Sequence, residues 1–160
     1  MFIGPCYILT NNGVSISTAI SALQLKPGVN GPVEITRAAL SQQTSTTSAQ
    51  VGAGLIRKSA AATVTTGVAG TTLLKQNPVN PASDASLGTT ATGITASGEG
   101  TNGELTIQRG FNVLNGMEWL PTPEERMMVA QSAFAALTFL TAPPSATWQA
   151  SIAFRELRGG

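Results

Sequence analysis

The chain contains no histidine, a single cysteine and only 5% aromatic residues, and each shortage removes a class of function. Without histidine, neither a Ser-His-Asp nor a Cys-His arrangement can be assembled, and the commonest metal ligand is missing. Cys6 has no internal partner for a disulfide, so stability must come from packing or from neighbouring subunits. Set in an apolar run, Cys6 reads as a buried small hydrophobe rather than a nucleophile. Charged residues are 11% of the chain, well below the roughly 25% usual in globular domains, and the net charge is +1. The nine basic residues are scattered from Lys26 to Arg158 and leave no electrostatic footprint for nucleic acid. No apolar run approaches the ~20 residues that span a bilayer, and the start, interrupted by Pro5, has no basic segment of the kind that opens a secretion signal. The expectation is a protein made in a cytoplasm that stays soluble or assembles there, with no nucleic-acid or membrane partner, no cofactor and no metal.

What fills the sequence instead is Ala, Thr, Ser and Gly. Its 160 residues suit one domain, 1–160, with its own core. Exposed helix faces are normally built from Glu, Lys, Arg and Gln, which are scarce here, so the composition favours short strands and turns. Cys6–Thr10 is a β-prone run ending at the turn signal Asn11-Asn12-Gly13. From Val14 to Leu25 apolar residues alternate with two one-residue shifts that read as bulges, and Lys26-Pro27-Gly28 closes the element. Pro32–Leu40 alternates again. Residues 41–50 and 76–97 are long polar loops, with Gly93–Ala96 the place in the second that best joins a sheet. Val51–Lys58 is a strand whose Arg57-Lys58 end reads as solvated, and Ala60–Thr66 and Gly70–Leu74 are further short strands. In Glu104–Arg109 the alternation places Leu105 and Ile107 inward. At the far end Trp148, Ala150, Ile152 and Phe154 share one face of a last strand. About ten short runs separated by turns, with at most one short helix, make an all-β sandwich.

Few residues are left to carry chemistry. Glu124 and Glu125 are adjacent and Glu118 lies six before Glu124, but a glycosidase would also want aromatics for a sugar platform, which this chain needs for its core. Gly98–Gly103 lacks the lysine and the strand-to-helix setting of a phosphate loop. No catalytic constellation emerges, and the expected function is not enzymatic.

The most specific stretch is Phe111–Arg126, FNVLNGMEWLPTPEER, which gathers large apolar side chains, two prolines and four charges. Asn115-Gly116 signals a type I′ turn able to fold Phe111–Leu114 back on Met117–Leu120. Thr122 and Glu125, with Pro123 between them, read as a capping box. From Met127 to Leu140 two readings stand: a helix capped by Thr122-Pro123, or strands at Met127–Val129 and Phe134–Leu140.

This stretch, followed by a strand, an Ala-Pro loop and a terminal strand ending in Phe154-Arg-Glu, resembles capsid decoration, or cement, proteins encoded among the structural genes of tailed bacteriophages. The resemblance covers the last third of the chain. It implies a jelly-roll-like β-sandwich on the outside of a phage head that bridges major capsid subunits as a homo-oligomer, with a trimer favoured, and stabilises the shell. It also implies strands rather than a helix at Phe134–Leu140. Glu124, Glu125 and Arg126 are then the candidate partner contact, and the long loops are candidate capsid-facing arms. The alternatives are another virion role, such as a head fibre base or tail protein, and a carbohydrate-binding β-sandwich module.

Overall fold

A computed structural model describes residues 4–11, 13–44, 47–65, 72–85 and 93–157. Among these residues the chain forms thirteen strands, one 3-10 turn at Pro123–Glu125 and no α-helix. In chain order the strands are β1 (Cys6–Thr10), β2 (Val14–Ile16), β3 (Ser21–Leu25), β4 (Val33–Gln42), β5 (Gln50–Ala60), β6 (Thr63–Thr65) and β7 (Thr72–Lys75). There follow β8 (Gly93–Gly98), β9 (Thr101–Asn112), β10 (Met117–Trp119), β11 (Met127–Val129), β12 (Phe134–Phe139) and β13 (Ala146–Glu156). The expected β-sandwich is therefore present, and the strand reading of 127–140 holds over the helical one.

The first sheet runs β10-β4-β13-β1-β7, with β11 also on β4 and β2 also on β13; the second runs β6-β8-β3-β12-β5-β9. Every described pairing is antiparallel. Between the sheets lies one continuous core, to which Tyr7, Leu9, Ile35 and Ile152 contribute from the first sheet and Leu23, Leu55, Leu137 and Phe139 from the second. Trp148 is its hub. The ring meets Phe139 edge-on at 4.7 Å and Phe111 at 6.4 Å, so one side chain of the first sheet contacts two strands of the second.

Four expectations are corrected by this arrangement. Val14–Leu25 is not one bulged strand: β2 pairs with β13 in the first sheet and β3 with β12 and β8 in the second, so the shifts in alternation mark a change of sheet. Asn115-Gly116 does not close a hairpin, because β9 stays on β5 in the second sheet while β10 pairs with β4 in the first. Gly116 does take a positive φ of 69°, and residues 113–116 carry the chain across the sandwich edge. Leu105 is 44% exposed rather than inward, since β9 is an edge strand whose register on β5 shifts repeatedly, while Ile107 packs against the core. Cys6 is only half-buried, because Tyr7 and Leu9 take the inward positions of β1 and leave Cys6, Ile8 and Thr10 on the outer face.

The polar loops are shorter and better anchored than their composition suggests. Ser41 and Gln42 extend β4 and Gln50 opens β5. Between them, Gln43 N–H bonds the Thr147 carbonyl at 2.8 Å and Thr147 N–H bonds Thr44 Oγ1 at 2.9 Å, while residues 45–46 lie outside the described part. In the second loop the Tyr7 hydroxyl donates to the Pro81 carbonyl at 2.9 Å, and the Glu156 carboxylate accepts from Ser83 Oγ at 2.6 Å and Asp84 N–H at 2.7 Å. Residues 86–92 lie outside the described part, and Gly93–Gly98 joins the second sheet as expected, between β6 and β3.

Candidate functional site

Two polar clusters stand out against the small-residue background, and sequence reasoning found only part of one. The missed cluster lies on the outer face of the second sheet. Along β5, Val51, Ala53 and Leu55 enter the inter-sheet core, which turns Ile56 the other way, beside Ala136 of β12 and, across Ala136, Gln24 of β3. Such a face would normally meet water, but here the chain itself covers it. Strands β5 and β6 on one side and β8 and β9 on the other form a long two-stranded ribbon, with Thr63 opposite Gly98, Ala60 opposite Thr101 and Gln50 opposite Asn112. Its middle folds over the sheet. The fold depends on Gly100, whose φ is +65° and whose replacement side chain would sit 2.2 Å from the Ala61 carbonyl oxygen.

Lys58 and Glu99 fasten that fold. Arg57-Lys58 is not a solvated strand end: the Lys58 side chain is fully buried, and its ammonium donates to the Glu99 backbone carbonyl at 2.6 Å and to Glu99 Oε2 at 2.8 Å. Glu99 also accepts from Ser21 N–H at 2.9 Å and from Ser21 Oγ at 2.6 Å. Because the Ser21 hydroxyl donates its one hydrogen bond to the carboxylate, Thr138, 3.0 Å away, is the donor in the remaining hydroxyl pair. Next to this cluster the buried Gln24 amide accepts from Ala62 N–H at 2.9 Å and donates back to the Ala62 carbonyl. Burial pushes the Glu99 carboxyl up, but the bonds from Lys58 and Ser21 outweigh it and hold it below its usual value of 4.5. Chemically this is a closed salt bridge, in which the carboxylate is occupied from three sides and the serine oxygen is a donor rather than an activated nucleophile. It works as a clasp between ribbon and sheet. The only advance signal was a Lys in a strand of small residues and a Glu inside the Gly98–Gly103 turn.

The second cluster contains the predicted contact residues. Trp119 is buried at the end of β10, Pro121 is buried after it, and the chain turns through Pro123–Glu125. Thr122 and Glu125 stand in the capping-box positions: Thr122 N–H reaches the Glu125 carboxylate at 3.4 Å, and the turn itself is closed by Glu125 N–H on the Thr122 backbone carbonyl at 3.0 Å. Glu124 and Glu125 are exposed, and Leu120 beside them is 74% exposed. Arg126 faces the other way, toward its own sheet, where its Nη1 lies 3.4 Å from Glu34 Oε2. Arg155 approaches the same oxygen at 3.3 Å. Antiparallel register explains the meeting, since Glu34 of β4 lies opposite both Arg155 of β13 and Met128 of β11. Two guanidinium groups thus share one carboxylate, and the Nε of each is buried without a hydrogen-bond partner.

Among the described residues no group of three or more His, Cys, Asp or Glu side chains is placed to hold a metal, and no helix is long and apolar enough to cross a membrane. The surface depressions are shallow. One, lined by Arg57, Lys58, Gly103 and Glu104, opens beside the clasp, and its charged walls are already engaged in the Arg57–Glu104 and Lys58–Glu99 pairs. No family model, curated protein or solved structure matches the chain, so the reading of its function rests on its own residues.

Proposed function

We propose that the chain is a capsid decoration protein, a structural component that binds the outside of a phage head and bridges major capsid subunits. The observation that carries the reading is the form taken by residues 111–126, which also bear the resemblance. Val113, Met117, Trp119 and Pro121 fix this stretch to the edge of the core, while Leu120, Glu124 and Glu125 are held out to solvent on a proline-braced turn. A rigid corner that presents an apolar side chain beside two carboxylates suits a partner contact better than a reaction. Bridging of this kind needs no strong single site, because joining neighbouring capsomers sums many weak contacts that must break together. Gln43, Thr44, Ser48 and Ala49, tied to Thr147, Asn112 and Val113, offer further uncharged groups for the same purpose.

The test is binding to intact heads that bear the major capsid protein. Saturable binding, a fixed number of copies per head and a raised temperature of head disruption are expected. Absence of binding to heads overturns the proposal, and binding to tails or fibres instead would move the chain to another virion role. The carbohydrate alternative draws little support: among the described residues Tyr7, Phe111, Trp119, Phe139, Trp148 and Phe154 are buried, and the half-buried Phe134 ring has Lys26 Nζ over it at 4.6 Å.

A further inference from the structure

Asparagine followed by glycine occurs four times, at 12–13, 30–31, 102–103 and 115–116. The pair is chemically labile because glycine has no side chain to shield its backbone nitrogen, which can attack the asparagine side-chain carbonyl carbon once the asparagine ψ turns the two toward each other. In the sequence the four pairs look alike, and the fold separates them. Asn12 lies outside the described residues. Asn102 is a rung of the β5–β9 ladder, opposite Lys58, so turning its ψ breaks the strand pairing around it. Asn30 stands in an exposed turn, but its N–H is bound to Asp84 Oδ2 at 2.7 Å, and a carboxylate there opposes the loss of a proton from the neighbouring Gly31 nitrogen.

Asn115 carries neither restraint. It is exposed, it belongs to no strand, and its side chain makes no hydrogen bond with the described residues. Its own N–H is held by the Asn112 carbonyl at 3.0 Å, while the Gly116 N–H, the group that has to move, has no partner among them. Asn112 in the same stretch has the opposite arrangement. Its Oδ1 accepts from Leu114 N–H at 3.0 Å, its amide donates to Ser48 Oγ at 2.8 Å, and the branched Val113 follows it.

We propose that Asn115 is a site of self-modification, at which the folded chain converts its own asparagine to aspartate and isoaspartate. The Gly116 nitrogen gives up its proton to solvent base and bonds to Asn115 Cγ; the side-chain nitrogen takes up a proton and leaves as ammonia, so a cyclic succinimide remains. Water then adds to one of the two ring carbonyl carbons and breaks its bond to nitrogen. Opening at the side-chain carbonyl gives aspartate, and opening at the backbone carbonyl gives isoaspartate, with the main chain now running through Cβ and Cγ. Either product adds a negative charge to the corner between β9 and β10. Isoaspartate also lengthens the main chain by one carbon just before Met117, whose pairing opposite Leu40 sets Met117 and Trp119 against the core, so the register of β10 on β4 is disturbed as the protein ages. The change is intrinsic to the chain and does not depend on the virion reading.

The test is incubation of the folded full chain at mildly alkaline pH, followed by peptide mapping in a mass spectrometer and detection of isoaspartate by enzymatic methyl transfer. Asn115 should react roughly tenfold or more faster than Asn102, and faster than Asn30, with the difference collapsing in urea, where no ladder restrains Asn102. Asn112 should stay intact. Asn115→Gln, whose longer side chain closes the ring slowly, should fold with an unchanged melt, and after incubation the wild type should melt below it. An Asn115 that stays intact in the folded chain while the urea-unfolded chain reacts, or an Asn102 or Asn30 that reacts as fast as Asn115 in the folded chain, overturns the proposal.

Discussion

Lys58 shows how one side chain can set the terms for a whole face. Its ammonium is fully buried, and its compensation comes from Glu99, itself one-third exposed. Removing one partner of a buried pair costs more than removing the charge that created the need. Glu99→Ala should therefore lower unfolding stability by about 3–5 kcal/mol in urea titrations, while Lys58→Met, which fills the same space without charge, should cost clearly less. The pair also predicts an acid response. The Glu99 carboxyl is held below 4.5, so its contribution is complete above the unfolded value and is lost as pH falls through the lower folded one. Stability measured from neutral pH downward should drop more steeply below about pH 4.5 in wild type than in Glu99→Gln, whose side chain does not titrate. Beyond a lone Lys among small residues and a Glu inside a glycine-rich turn, none of this was legible in the sequence. Arg57-Lys58 at a strand end looks solvated because local pattern cannot reveal that residues 98–100, some forty positions later, fold over it.

At the scale of elements, periodicity served wherever a strand has one buried and one open face. Trp148, Ala150, Ile152 and Phe154 were expected on one face of β13, and all four are buried. The capping box was equally readable, because it is a local exchange between Thr122 and Glu125. Alternation failed where a strand is an edge, as at Leu105, and turn chemistry failed where it had to name a destination. Asn115-Gly116 specifies a sharp reversal, but whether the chain returns to its own sheet or crosses to the other depends on Val113, Met117 and Trp119 closing the core edge. The reversal itself can be tested. Gly116 sits at φ 69°, and a side chain there would lie 2.8 Å from the Leu40 carbonyl oxygen. Gly116→Val should therefore cost on the order of 1–3 kcal/mol, seen as a lower denaturation midpoint with an unchanged slope.

For the molecule as a whole, the sequence limited what the protein could be more firmly than it said what it is. The absence of histidine and the low charge were visible at once; of the three residues 124–126 expected to project together, Glu124 and Glu125 are exposed while Arg126 faces its own sheet. Burial of Trp119 and Trp148, at 3% and 0% exposure, gives a spectroscopic check on the sugar-binding alternative. Tryptophan emission should be blue-shifted, resistant to iodide and unaffected by added saccharides, and a saturable change on titration with a sugar would revive that alternative.

The pairing of β1 with β13, which sets Cys6 opposite Arg155 and Thr10 opposite Ser151, also has a kinetic consequence. The middle of the first sheet closes only when segments about 140 residues apart in the chain meet, and β13 fills the place between β1 and β4. During synthesis β1 can pair with β7 and β4 with β10 and β11, but the edge of each that faces β13 stays unpaired until almost the entire chain has left the ribosome. Non-local pairing of this kind places folding in the millisecond-to-second range, and a chain halted before Ala146 would present two unfilled strand edges to whatever other strands are nearby.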